Sequence, residues 1–418
     1  MQFSESWDWE RAERVVAESL APMEEHKWQE EIHVSPDGET AAAIVCIDDG
    51  QFGLRMNDTV HDNTFDKAWK PSFSPDGKFC AIVQQDEEWT LAVDGEPWEE
   101  RYGFVWDPRF SADGSVIAAA VQQDALYGMS VNGAAWETLY ENANGFALSE
   151  NGKRTAAVVQ VRSLGQADPV TFREGVYSVA VDGETWDNVF MNAWQPVFSP
   201  YAHRVAAQVR LTLYDYSIAV DGILWPMQFQ CVWDPCFQPN SSSVVAPVRQ
   251  GGKWGVAEDG NILWKPRFFN CWHLQYSPDG SKLWGIVAPG YGQFTVALDG
   301  KEWNVSAPVV TDLTLSPDGL RAAALGNHDN KAWHLLLDGK AWSGRYDMAW
   351  KPVFSANGHH VALRVRSGKR YGIIVNDRPV GGEFDKAWDP AFSPDGTKVL
   401  IRGMRGNTLL RIVADVPR

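Results

Sequence analysis

A turn of the Ser-Pro-Asp-Gly type recurs ten times along this 418-residue chain, and that recurrence limits its fold more than any other feature. The first residue of the marker stands at Ser35, Ser74, Ser111, Ser149, Ser199, Gln238, Ser277, Ser316, Ser355 and Ser393. Eight of the nine intervals are 37 to 39 residues long, and one is 50. Five residues ahead of the marker stands Trp69, Trp106, Trp194, Trp233, Trp272, Trp350 or Trp388. In nine repeats a second turn, of the Val-Asp-Gly type, follows the marker. An aromatic precedes it by five residues: Phe52, Trp89, Tyr127, Tyr177, Tyr216, Trp254, Phe294, Trp333 and Tyr371. Trp98, Trp136, Trp186, Trp225, Trp264, Trp303 and Trp342 come just after it.

The second repeat displays the unit. Residues 69–73 alternate, 74–77 turn, 79–84 are strongly apolar, 89–93 alternate again, and Asp94-Gly95 leads into a short strand around Trp98. Four antiparallel strands in about 39 residues read as a propeller blade. Such a blade buries its faces only against its neighbours, which gives the tryptophans a packing role. The fold expected is therefore all-β, a β-propeller of about ten four-stranded blades spanning 1–418. The even spacing of the internal junctions favours one ring over two linked smaller propellers. The last repeat ends without its outer strand, and residues 5–10 (ESWDWE) resemble the outer strand at 184–189. The expectation is that 5–10 closes the last blade, with Trp7 in the place of Trp186.

A net charge of −17 argues against nucleic acid as a partner. The charge is uneven. Residues 1–30 carry eight acidic and three basic side chains, while 360–418 carry eleven basic and six acidic ones. If the ends meet, an acidic segment faces a basic sector, as internal complementarity or as a docking surface. No run of 18 apolar residues and no N-terminal stretch of signal-peptide length occurs, so the expectation is a cytoplasmic protein without a membrane span. Five cysteines, an odd number, suit a reducing compartment.

Chemistry-bearing motifs are scarce. No Cys-x-x-Cys, Walker, Gly-x-Gly-x-x-Gly or Gly-x-Ser-x-Gly sequence occurs. Cys231, Cys236, Cys271 and His273 match no ligand spacing known for a metal. The aspartates of both turn types repeat with the structure, which marks them as turn formers. No catalytic, cofactor or metal residue is assigned, and no cofactor is expected.

Two segments depart from the repeat. One is an inserted hairpin loop within 161–175 of the fourth blade. The other is 10–29, whose first half places Ala12, Val15, Val16 and Leu20 on one helical face. Insertions on a repeat scaffold often carry binding specificity. Candidate partner contacts are Arg162, Phe172 and Arg173 in the first, and Glu13, Glu18, Glu24 and Glu25 in the second.

SPDGKFCAIV at 74–83 and SPDGTKVLI at 393–401 resemble the WD40-like repeats of bacterial propellers. The whole-length pattern F/W-x-x-A-W-[KD]-P-x-F-S-P-D-G, as at 65–77 and 384–396, resembles a narrower group. This is the tryptophan-rich cytoplasmic D subunit of the Tmc transmembrane electron-transfer complex of sulfate-reducing bacteria. The resemblance implies a non-catalytic scaffold or docking subunit on the inner face of the membrane. Its partners would be an iron–sulfur protein and a cytochrome b subunit, in a complex that passes electrons between cytochrome c and a cytoplasmic acceptor. The alternative function is a ligand-binding, carbohydrate-binding or hydrolytic propeller that uses its central channel.

Overall fold

The computed structural model describes residues 5–24, 26–164, 168–329 and 331–417. The fold is all-β: ten four-stranded antiparallel blades in one ring, a ten-bladed β-propeller. The blades follow the marker in register. In the second blade the strands run Lys67–Phe73, Phe79–Gln85, Glu88–Val93 and Glu96–Pro97; the first three lie within two residues of the spans read from the repeat, and the outer strand ends before Trp98. Second strands are buried along their apolar runs and emerge only at their polar C-terminal ends.

Both turns are built by their side chains. In the marker, Ser74 is buried and its Oγ accepts from Lys78 N at 2.9 Å, while Ser393 Oγ donates to Asp395 Oδ1 at 2.5 Å. Asp395 Oδ1 also accepts from Thr397 N at 3.0 Å. These donors hold Asp395, like Asp113 and Asp279, down to about 2. In the second turn Asp94 (φ +49°) and Gly95 (φ +86°) form the doubly left-handed pair that a two-residue hairpin demands. Asp94 Oδ1 reaches back to accept from Phe79 N at 2.8 Å, and Asp221 and Asp299 repeat the device on Val205 N and Leu283 N.

The chain divides into two compact units of five blades each. One holds blades 1 (28–60), 2 (67–97), 8 (309–341), 9 (348–384) and 10 (386–415 with 12–17). The other holds blades 3 (104–135), 4 (143–185), 5 (192–224), 6 (231–268) and 7 (270–302).

The N-terminus does complete blade 10, but with a different segment from the one expected. The closing strand is Ala12–Ala17, antiparallel to Thr408–Asp415 in the register Ala12↔Val413 to Val15↔Leu410. Residues 5–10 are not its outer strand. Trp7 instead stacks on Trp9, with centroids 6.0 Å apart, and borders a cavity with Pro36, Pro75, Phe354 and Phe392. No helix forms in the described part of 10–29. An isolated helix this short is marginal, whereas the open edge of 408–415 offers a ladder that suits the β-branched pair Val15-Val16. Beyond the strand, buried Arg55 donates to Ala21 O (2.8 Å) and Ser19 O (3.2 Å), and Leu20 N donates to Asn407 O (2.9 Å). The segment is therefore fastened to blades 1 and 10.

Within each unit, tryptophans after the Asp-Gly turn join consecutive blades. Trp136, Trp225 and Trp264 are buried, and Trp7, Trp98, Trp186, Trp303 and Trp342 are half-buried. Trp136, Trp186, Trp225, Trp264 and Trp303 each lie against the turn glycine of the next blade. A Cβ added to Gly183 would stand 3.2 Å from Trp136, and one on Gly300 would stand 3.2 Å from Trp264. In blade 1, His61 takes this seat against Gly95. Of the series before the marker, Trp69, Trp106, Trp194, Trp272, Trp350 and Trp388 are half-buried, and Trp233 is exposed.

Candidate functional site

The insertion in blade 4 contains one short helix, Pro169–Glu174, capped by Asp168, whose carboxylate accepts from Val170 N (3.0 Å) and Thr171 N (3.1 Å). Arg162 and Arg173 are exposed and Phe172 is partly buried. Residues 165–167 lie outside the described residues. Of the acidic candidates, Glu13 is ion-paired with Arg405 at 2.8 Å across the closing strand. Glu18 and Glu24 are exposed, and the Glu18 carbonyl accepts from Thr408 Oγ1 at 3.1 Å. Glu25 lies outside the described residues. With Lys386–Glu31 at 2.6 Å beside Arg405–Glu13, part of the basic C-terminal sector is paired with acidic N-terminal residues inside the fold.

A surface that was not anticipated lies on the outermost strands of blades 5 and 6. Blades 2, 4 and 7 present Glu96–Pro97, Glu184–Thr185 and Lys301–Glu302 at this place. Blade 5 presents Ile223–Leu224, and blade 6 opens its outer strand Asn261–Phe268 with Ile262 and Leu263. Ile223 is 72 % and Leu263 47 % exposed, and Leu224, Met227 and Ile262 are each more than a third exposed. The two edges approach each other at the blade 6 turn. The blade 6 turn abuts the end of the blade 5 edge, so that a Cβ on Gly260 would meet Pro226 Cδ at 2.9 Å. Together the five side chains expose roughly 400 Å² of apolar surface, a size at which a patch on a soluble protein is often functional. One blade earlier the Pro169–Glu174 helix exposes Val170, and the 211–215 hairpin of blade 5 exposes Leu213 and Tyr214. The signal was present in the sequence: Ile-Leu stands just before the tryptophan at 223–224 and 262–263, where no other repeat has two large aliphatic residues.

A second feature lies between the first strands of blades 6 and 7. Trp233, Asp234, Asn270, Trp272, His273 and Gln275, with Pro235 and Leu274, line a cavity of about 540 Å³. Trp233 stacks on Trp254 with centroids 5.5 Å apart and planes 9° apart, yet stays 41 % exposed. Trp272 meets Phe294 edge-on at 5.1 Å. Asp234 is reachable by solvent but recessed among protein atoms. That desolvation raises its pKa above the usual carboxylate value, against the pull of His273. His273 sits at φ +56°, in the bulge between Trp272 and Gln275. Pro235 and Leu274 also wall a second cavity of about 430 Å³, bordered by Arg109, Glu150 and Gln195. The residue after the tryptophan differs from repeat to repeat: Asp107, Gln195, Asp234 and His273 in this unit. It is the polar variation that the regular turn aspartates hid.

Among the described residues no group of three or more His, Cys, Asp or Glu side chains is placed to hold a metal ion. Cys271 and Cys236 are desolvated, with pKa values pushed up to about 12 and about 11. No described helix is long and apolar enough to cross a membrane.

No family model and no curated protein matches the chain. Solved structures do. A eukaryotic initiation factor structure is similar at a TM-score of 0.50 and 12 % identity, over 78 % of this chain and 89 % of that one. An oligogalacturonate lyase in complex with manganese matches at 0.36 and 14 % identity, over 84 % and 96 %. The β-propeller domain of the Trilobed protease from Pyrococcus furiosus matches at 0.32 and 12 %, over 66 % and 97 %. At these identities the likeness concerns the fold alone.

Proposed function

We propose that this propeller is a non-catalytic docking scaffold that holds a protein partner against the outer edges of blades 5 and 6. The observation that carries the reading is the replacement of polar outer-strand residues by Ile223, Leu224, Ile262 and Leu263, on adjacent blades and exposed. Packing of the blades gives no reason for them, because Glu, Thr and Lys serve at the same place in neighbouring blades. A buried apolar core with a polar rim is the usual anatomy of a protein interface. Following the sequence resemblance, the partner is the iron–sulfur or cytochrome b subunit of a membrane redox complex, bound at the inner membrane face. The tryptophans serve as joints between blades in this reading, not as an electron relay.

The test is affinity purification of the tagged chain from native membranes, beside a variant carrying Ile223→Glu, Leu224→Thr, Ile262→Lys and Leu263→Glu. The wild type is expected to bring down a haem- or iron–sulfur-containing subunit, visible in the absorption spectrum, and the variant to lose it while keeping its melting temperature. Recovery of the same subunit with both proteins would place the interface elsewhere. Recovery of no redox subunit with either would refute the redox assignment.

A further inference from the structure

We infer that the cleft between the first strands of blades 6 and 7 binds a quaternary ammonium ligand, with the indoles of Trp233 and Trp272 against its methyl groups and the Asp234 carboxylate as its counter-charge. This site is separate from the apolar edges of the same blades and does not depend on docking there.

The aromatic walls come first. Both indoles line one cavity of about 540 Å³, and Asp234 lines it with them. Within its own series Trp233 is unusual. Its six counterparts are at least half covered, while it keeps 41 % of its surface open. Trp254 stacks on one face with centroids 5.5 Å apart, so the open surface is the opposite face and the ring edge. An indole face is the aromatic surface that attracts a cation most strongly, through its quadrupole. The methyl groups around the charge also restore the apolar contact that an uncovered indole forgoes.

The polar groups narrow the choice. Asn270 Oδ1 accepts from Cys271 N at 2.9 Å, and His273 and Gln275 are already engaged within the protein. A sugar or a primary ammonium would have to compete for these groups, because each brings several O–H or N–H donors that need partners. A quaternary ammonium brings none. It needs aromatic faces and a negative charge, and Asp234 supplies the charge. Among the described residues no side chain or backbone donor reaches the Asp234 carboxylate. Desolvation raises the Asp234 pKa, and a cation beside it would offset that cost. No group of three or more His, Cys, Asp or Glu side chains among the described residues could hold a metal ion, which leaves an organic cation as the counter-charge. The net charge of −17 draws cations and disfavours anionic ligands.

The experiment is calorimetric titration of the full-length protein with choline. The comparators are maltotriose and the uncharged isostere of choline, in which a tert-butyl group replaces the trimethylammonium. Choline is expected to bind at one site, at least tenfold more tightly than the isostere. Trp233→Ala and Asp234→Asn should each weaken it at least tenfold, and Trp233→Phe should recover part of the loss. The blade 5 and 6 edge variant should bind choline as the wild type does, which separates this proposal from the docking function. Sedimentation with phosphatidylcholine vesicles distinguishes the sources of the headgroup. Protein carried down by the vesicles, and released by Asp234→Asn, assigns a lipid, whereas binding of choline alone assigns a free ligand. Should Trp233→Ala fail to fold, Asp234→Asn and Trp233→Phe carry the test. The proposal is overturned if neither choline nor phosphatidylcholine binds, if the uncharged isostere binds equally well, if affinity is indifferent to residues 233 and 234, or if maltotriose binds there instead.

Discussion

The guanidinium of Arg411, only 2 % exposed, lies with its Nε 2.9 Å from the carboxylate of Glu39. Arg411 also donates to Asp8 O at 2.6 Å and Asp37 O at 2.9 Å. One side chain of the C-terminal strand thus ties the N-terminal segment and the first marker turn to blade 10. Arg411→Ala should leave both carbonyls without this donor and cost about 3 kcal/mol, seen as a lower unfolding midpoint in urea. Arg411→Lys should recover only part, because an ammonium cannot reproduce the fork.

Truncation locates the closure. Removing residues 1–6 should leave the melting temperature within a degree or two. Removing 1–17 takes away the partner of 408–415 and should cost at least about 3 kcal/mol, with faster amide exchange along the bared strand. Equal melting of the two truncated proteins would contradict the pairing of Ala12–Ala17 with Thr408–Asp415.

His334 sets a pH dependence. It is fully buried in blade 8, stacked on His328 at 4.7 Å, and among the described residues neither ring nitrogen has a hydrogen-bond partner. Burial first, then Arg345 and His328, lower its pKa from 6.5 to about 4, with Asp329 opposing. Between these values the unfolded chain binds the proton and the folded chain resists it. Its contribution is therefore fully present above about pH 6.5 and is lost as pH falls towards 4. The same position is Thr90 in blade 2 and Thr295 in blade 7. His334→Thr should flatten the decline of melting temperature between pH 6.5 and 4, and an unchanged slope would contradict the assignment.

Two glycines separate joint from turn. Gly300 (φ +76°) lies under Trp264, whereas Gly251 (φ +59°) faces open space. Gly251→Ala should cost about 1 kcal/mol, the left-handed penalty alone. Gly300→Ala adds the collision with a buried indole and should cost measurably more. Trp264→Ala should cost about 3–5 kcal/mol. A double-mutant cycle between positions 264 and 300 should show coupling, because the clash of Gly300→Ala disappears once the indole is gone.

The blades were legible because each turn writes its own signature: Ser74, Asp76 and Gly77 at one end, Asp94 and Gly95 at the other. What failed was local pattern against tertiary demand. Ala12, Val15, Val16 and Leu20 have helical spacing, but an unpaired edge at 408–415 outweighs a weak short helix. Trp7 resembles Trp186 in its neighbours, yet lies against Pro36 and Pro75. A further aromatic series, 13 residues after Phe52, Tyr127, Tyr177, Tyr216 and Trp333, was overlooked. Phe65, Tyr140, Phe190, Phe229 and Tyr346 bridge back to those aromatics and extend the outer strands. The candidate site was less legible. The insertions stand out by length, whereas the informative departures are substitutions inside the repeat, Ile223-Leu224 and Ile262-Leu263 at the edge and Asp234 and His273 between the first strands of blades 6 and 7.

The docking claim is tested most directly by site-specific photo-cross-linking in the native host. A benzoylphenylalanine at position 223 or 262 is compared with one at position 97 or 302 on the polar edges of blades 2 and 7. Docking on blades 5 and 6 gives one discrete adduct from 223 and 262, containing the same redox subunit, and none from 97 and 302. No adduct from 223 and 262, or equal adducts from all four positions, would contradict it.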